Sequence, residues 1–121
     1  SYFEKGDPYQ CYCQKTTRLM KESFKDVLIE TTFQSRFGPK EWLQPYTDKT
    51  LELLPQQGKK NVLVICPGFS SDCVETLEEI NIQGRESFIK NGGVQFDLIP
   101  CLNDEDDHIN LFENLLKNSL I

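Results

Sequence analysis

Four acids crowd the stretch "SSDCVETLEEI", Ser70 to Ile80: Asp72, Glu75, Glu78 and Glu79. Glu75, Glu79 and Gln83 fall at i, i+4 and i+8, which puts them on one face of a helix. A row of carboxylates can hold a hard divalent cation, pass it along, or accept protons. The same residues also fit a plainer pattern. Asp72-x-x-Glu75 before an apolar-periodic segment is a capping box, in which Asp72 accepts from the Glu75 amide. A solvated acidic face explains the rest, and spacing alone leaves both readings open.

A second concentration lies in "FQSRFGPKEWLQPYTD", which holds Arg36, Lys40, Tyr46 and the single tryptophan, Trp42. An indole beside cations suits a flat anionic aromatic ligand, held by stacking and charge pairing. Trp42 could equally anchor the loop on a sheet. The turn "CPGFSSD" has neither G-x-G-x-x-G nor a Walker lysine, so it argues against a nucleotide site. The one histidine, His108, follows "NDEDD" and reads as a surface or cap-adjacent residue at the start of a helix. Cys11, Cys13, Cys66, Cys73 and Cys101 make an odd number, and three of them border apolar runs. They read as reduced, unpaired thiols, and C-x-C lacks the spacing of a structural metal site.

The elements that must position these groups alternate between helix and strand. Pro8 opens a helix reaching about Phe24, with Tyr12, Thr16, Leu19, Met20 and Phe24 on one face. "VLIETTF", Val27 to Phe33, is β-branched and predicts a strand. Gln34 to Tyr46 is a 13-residue loop with Gly38, Pro39 and Pro45, longer than a simple connection needs. A short helix runs from Thr47 or Asp48 to Leu54, ended by Pro55 and Gly58. "NVLVIC" is a continuous apolar run, as expected of a strand covered on both faces. A helix from about Asp72 to Lys90 follows, packing through Val74, Leu77 and Ile80, and Gly92-Gly93 stops it. "QFDLIP" predicts another strand, and Asp106 to Leu120 the last helix. The class is therefore α/β, a parallel sheet flanked by helices, with its ligands beyond the carboxyl ends of the strands.

Composition narrows the function. One domain fits 121 residues, and 38% hydrophobic with 26% charged residues is ordinary globular chemistry. A net charge of −6 excludes general nucleic-acid binding, which needs concentrated Lys and Arg. No stretch approaches the roughly 18 apolar residues of a membrane span. The polar start "SYFEKGDPYQ" lacks a signal-peptide core, so the expected compartment is the cytoplasm.

Three motifs together, "GDPY", "TFQSRFGPKEWLQPYTD" and "CPGFSSDCVETLEEI", resemble the C-terminal half of the ferrochelatases, which insert ferrous iron into protoporphyrin. The likeness continues through Gly92-Gly93 and "IPCLND" to the last helix, and looks most like the bacterial forms. It implies a chelatase-like, Rossmann-like C-terminal domain over residues 1–121, with porphyrin held between two similar α/β halves. By the resemblance Glu75 is the metal-insertion carboxylate, with Glu79 in the acidic row leading to it. Gln34, Ser35, Arg36 and Trp42 match the cleft-lining loop. Gln83 departs from relatives with a third carboxylate, and Cys73 from those with a histidine. The family's catalytic histidine precedes "GDPY" on a strand of the pattern H-G-I-P, before Ser1 of this chain. The resemblance thus implies a piece of the enzyme, without the N-terminal half and that strand, and inactive alone. Its partners would be protoporphyrin, ferrous iron and the missing half, with an open sheet edge favouring a homo-oligomer and a peripheral membrane contact left open. No cofactor is required, iron being a substrate, and no iron–sulfur cluster is expected. Two alternatives are a non-catalytic tetrapyrrole- or metal-binding module and a chelatase for another metal or tetrapyrrole.

Overall fold

The computed structural model describes residues 6, 8–34 and 43–120. The chain divides into two compact units, Ser1–Leu53 and Leu54–Ile121, each with its own interior.

In the first unit, α1 (Tyr9–Ser23) begins beside Pro8, as expected of a proline that cannot donate its nitrogen. Its half-buried residues are Gln10, Cys13, Thr17 and Met20, so of the expected face of Tyr12, Thr16, Leu19, Met20 and Phe24 only Met20 turns inward. The Thr17 and Thr31 hydroxyls meet there. Val27 to Phe33 does not form a strand. Its only ladder contact among the described residues is a parallel bridge between Phe33 and Tyr46. A β-branched segment becomes a strand only where a neighbour satisfies its backbone, and here only Phe33 is so paired, donating to the Pro45 carbonyl and accepting the Thr47 amide. Phe33, Leu43 and Leu51 are buried, and α2 (Thr47–Leu53) starts from the Thr47 hydroxyl bonded to Thr32 at 2.8 Å.

The second unit is a βαβ arrangement. After a 3-10 turn at Pro55–Gln57, β1 (Asn61–Val64) and β2 (Gln95–Leu98) pair in parallel, Val62 opposite Phe96 and Val64 opposite Leu98. Parallel neighbours need a long crossover. It is supplied by a π-helix, Glu75–Gly84, running directly into α3 (Arg85–Lys90). The predicted extent of that helix holds, but its first ten residues are wound in i→i+5 turns. The interior is Thr76, Ile80, Phe88 and Phe96, each at most 2% exposed. The Phe88 and Phe96 rings lie 5.9 Å apart, and Arg85 sits over Phe96 at 5.0 Å. Gly93 is needed where it stands, since a Cβ there would meet Phe88 at 2.2 Å. The last helix, α4 (Asp106–Ser119), buries only His108. No helix among the described residues is long and apolar enough to cross a membrane.

Candidate functional site

The carboxyl ends of β1 and β2 feed two loops, 65–74 and 99–105, and the acidic π-helix starts where they meet. Its winding decides which side chains line up. With about 4.4 residues per turn, residues four apart nearly stack, and successive i+4 steps drift less than in an α-helix. The buried row is therefore Thr76, Ile80 and Gly84. Val74 and Leu77, expected to pack beside Ile80, are 66% and 50% exposed. The same winding aligns Glu75 and Glu79 on the adjoining row, both half-buried, with Gln83 exposed farther along. Val74, Leu77 and Ile82 form the wall of an open groove of about 330 Å³. Cys73, Glu78 and Gln83 complete its lining.

The capping box does not form. Asp72 turns away from the Glu75 amide, because closer donors surround it. Its Oδ2 accepts from Asn103 Nδ2 at 2.8 Å and from the Cys101 amide at 3.3 Å. Its Oδ1 accepts from the Thr76 hydroxyl at 2.8 Å. Thr76 Oγ1 in turn accepts the Cys73 amide at 3.0 Å, a bond the expected capping box did not include. These bonds, Asn103 and then Thr76, hold the Asp72 carboxyl below its usual value, against some desolvation.

Glu75 is consequently a separate group. The neighbouring Cys73 side chain, and then its own backbone N–H, hold its carboxyl below the usual carboxylate range. Cys66 lies within the field of this cluster. Burial, then Cys101, Asp72, Cys73 and Glu79, pushes its thiol up to about 11. Cys101 shifts the same way, first through burial and then through Asp72. These half-buried thiols stay protonated. All five cysteines are free. Among the described residues no three His, Cys, Asp or Glu side chains are arranged to hold a metal ion. Glu75 and Glu79 can thus offer a hard cation part of a coordination shell.

His108 is not a surface residue. It is 6% exposed, packs on Phe112 at 4.4 Å between ring centres, and bonds the Asn103 carbonyl through Nδ1 at 2.7 Å. Sequence reasoning missed Asn103 and Thr76 as well. The one signal was an Asn-Asp pair in "LNDEDD", which favours a left-handed turn. Of the cleft-loop candidates, Gln34 is half-buried in the first unit, while Ser35, Arg36 and Trp42 lie outside the described residues.

The sequence matches the family model described as Ferrochelatase over residues 1–120. The ferrochelatase of Rhizobium etli is 57% identical over 122 residues, covering 99% of this chain and 36% of that protein. That of Agrobacterium fabrum is 55% identical, again over 99% of this chain and 36% of its own length. The ferrochelatase of Francisella tularensis subsp. novicida is 52% identical, over 98% and 37%. The chain therefore spans a little over a third of the length of these curated relatives.

Proposed function

The chain belongs to the ferrochelatase family, and from that premise we propose that it supplies the metal-handling carboxylates for inserting ferrous iron into protoporphyrin in haem biosynthesis. Glu75 holds the incoming ion, and Glu79, one turn on, delivers it. The observation that supports this most is the alignment of the two carboxylates on one row of a π-helix, beyond the carboxyl ends of two parallel strands. The neighbouring Cys73 side chain favours the charged form of Glu75, the form a cation needs.

Insertion exchanges two pyrrole protons for one ferrous ion, and bending the macrocycle exposes its nitrogens to the metal. Exposed Val74, Leu77 and Ile82 offer an apolar wall on the same helix, lined with Glu78 rather than Glu75 or Glu79, of a kind an apolar macrocycle face would cover. The base for the pyrrole protons is a histidine that the family resemblance places upstream of Gly6-Asp7-Pro8-Tyr9. His108 does not serve, its Nδ1 being engaged on the Asn103 carbonyl. Gln34, Ser35, Arg36 and Trp42 belong to the porphyrin-lining loop in this reading. Iron is substrate, no resident cofactor is needed, and the compartment is the cytoplasm.

The test is Glu75→Gln in the full-length protein that carries this chain. Iron insertion should fall by about 100-fold or more, with porphyrin affinity by Soret titration unchanged. Near-normal insertion would overturn the role of Glu75.

A further inference from the structure

Asn103, in the loop after β2, has φ 48° and is the one described non-glycine residue in the left-handed region. Asparagine tolerates that conformation better than most residues, and here the conformation points every polar group of Asn103 at a partner. Its carboxamide closes a reciprocal pair with Asp72, accepting the Asp72 amide at Oδ1 and donating from Nδ2 to Oδ2, both at 2.8 Å. Its amide donates to the Ser70 carbonyl at 2.9 Å. Its carbonyl accepts from His108 Nδ1 at 2.7 Å, and since a carbonyl can only accept, His108 carries its proton on Nδ1.

The bonds continue in one direction. Asp72 takes the Thr76 hydroxyl, and Thr76, wholly buried, takes the Cys73 amide. Cys73 and Thr76 flank Glu75 in the chain, and both are held by this network. The backbone on both sides of Glu75 is thus fixed from β2's loop.

We infer that Asn103 and His108 are positioning residues for Glu75, setting through Asp72 and Thr76 the direction in which the π-helix presents its carboxylate row. This rests on the proposed role of Glu75. Neither residue touches the reacting atoms. A displacement of about 1 Å is enough to cost a reaction of this kind about 100-fold.

Asn103→Gly separates the two contributions of that residue, because glycine keeps the left-handed backbone and loses the carboxamide. His108→Leu removes the donor to Asn103, whereas His108→Asn retains an N–H near the place of Nδ1. All are made in the full-length protein that carries this chain, beside Glu75→Gln, and assayed below every variant's melting temperature. Asn103→Gly should lower kcat for iron insertion about 10- to 100-fold, with KM for porphyrin within about twofold of wild type. His108→Leu should lose about tenfold in kcat, and His108→Asn should recover most of it. If Asn103→Gly does not accumulate as folded protein, the two His108 variants decide. A wild-type kcat in Asn103→Gly, or equal losses in His108→Leu and His108→Asn, overturns the positioning role. If Glu75→Gln is impaired while those results hold, only the positioning fails. If Glu75→Gln turns over normally, the reading of Glu75 fails and the positioning role fails with it.

Discussion

The π-helix (Glu75–Gly84) and α4 (Asp106–Ser119) both follow a strand of the same small sheet, and both look amphipathic in sequence. They end up differently. The π-helix buries Thr76, Ile80 and Gly84, an unbroken i+4 row, and runs on into Phe88. Along α4, Ile109, Leu111, Phe112, Leu115 and Leu116 remain 43–63% exposed, and only His108 is buried. Each helix nevertheless starts from the same knot, the π-helix through Thr76 and Asp72, α4 through His108 and Asn103. The difference teaches that polar bonds fix where a helix starts, whereas a continuous buried row fixes where its far end goes. A side-chain row held in one direction along its whole length needs both, and of these two helices only the π-helix has both.

The comparison can be broken first at the buried row. Phe88→Ala, at a side chain with no exposure, should destabilise the second unit by about 3–5 kcal/mol. Leu116→Ala on α4, at 63% exposure, should change stability by less than about 0.5 kcal/mol. Urea unfolding followed by far-UV circular dichroism checks both, and equal losses would erase the contrast. The knot comes next. Thr76→Val keeps the shape but strands the Cys73 amide and removes a donor from Asp72, costing about 1–3 kcal/mol. An unchanged urea midpoint would show that the hydroxyl is not needed.

A smaller effect concerns acid. The Asp72 carboxyl titrates below its ordinary 3.8 in the folded protein, so its contribution is fully present above that value. It is lost as pH falls through the depressed one. Asp72→Asn should therefore lower the midpoint at neutral pH and flatten its decline below about pH 4. A decline as steep as wild type would place the acid-sensitive group elsewhere.

Much of this arrangement was legible from residues alone. "NVLVIC" and "QFDLIP" form the parallel strands and Gly92-Gly93 marks the helix end, as expected, but the run "NVLVIC" is covered on one face alone, Leu63 and Ile65 being exposed. Val27 to Phe33 was misread as a strand, since β-branching reports a preference and pairing needs a neighbour. The π winding was invisible. Winding by i→i+5 over several turns is rare, and the same residues would suit i→i+4 turns, so no spacing signals it, although it is what aligns the Thr76–Ile80–Gly84 row. That one change moved Val74 and Leu77 outward. Glu75 and Glu79 were singled out by their spacing and by family likeness, and the structure sets both, half-buried, on one row of the helix. Asp72 was assigned to the wrong partner because its true one, Asn103, is distant in sequence and declares itself only through a left-handed backbone.

The central claim is that Glu75 and Glu79 act as one row on one cation. A double-mutant cycle of Glu75→Gln and Glu79→Gln on ferrous-iron insertion in the full-length protein measures this directly. If the row acts as a unit, the double variant should lose hardly more kcat/KM than Glu75→Gln alone. Losses that simply multiply would mean the two carboxylates serve different steps, and would contradict the account.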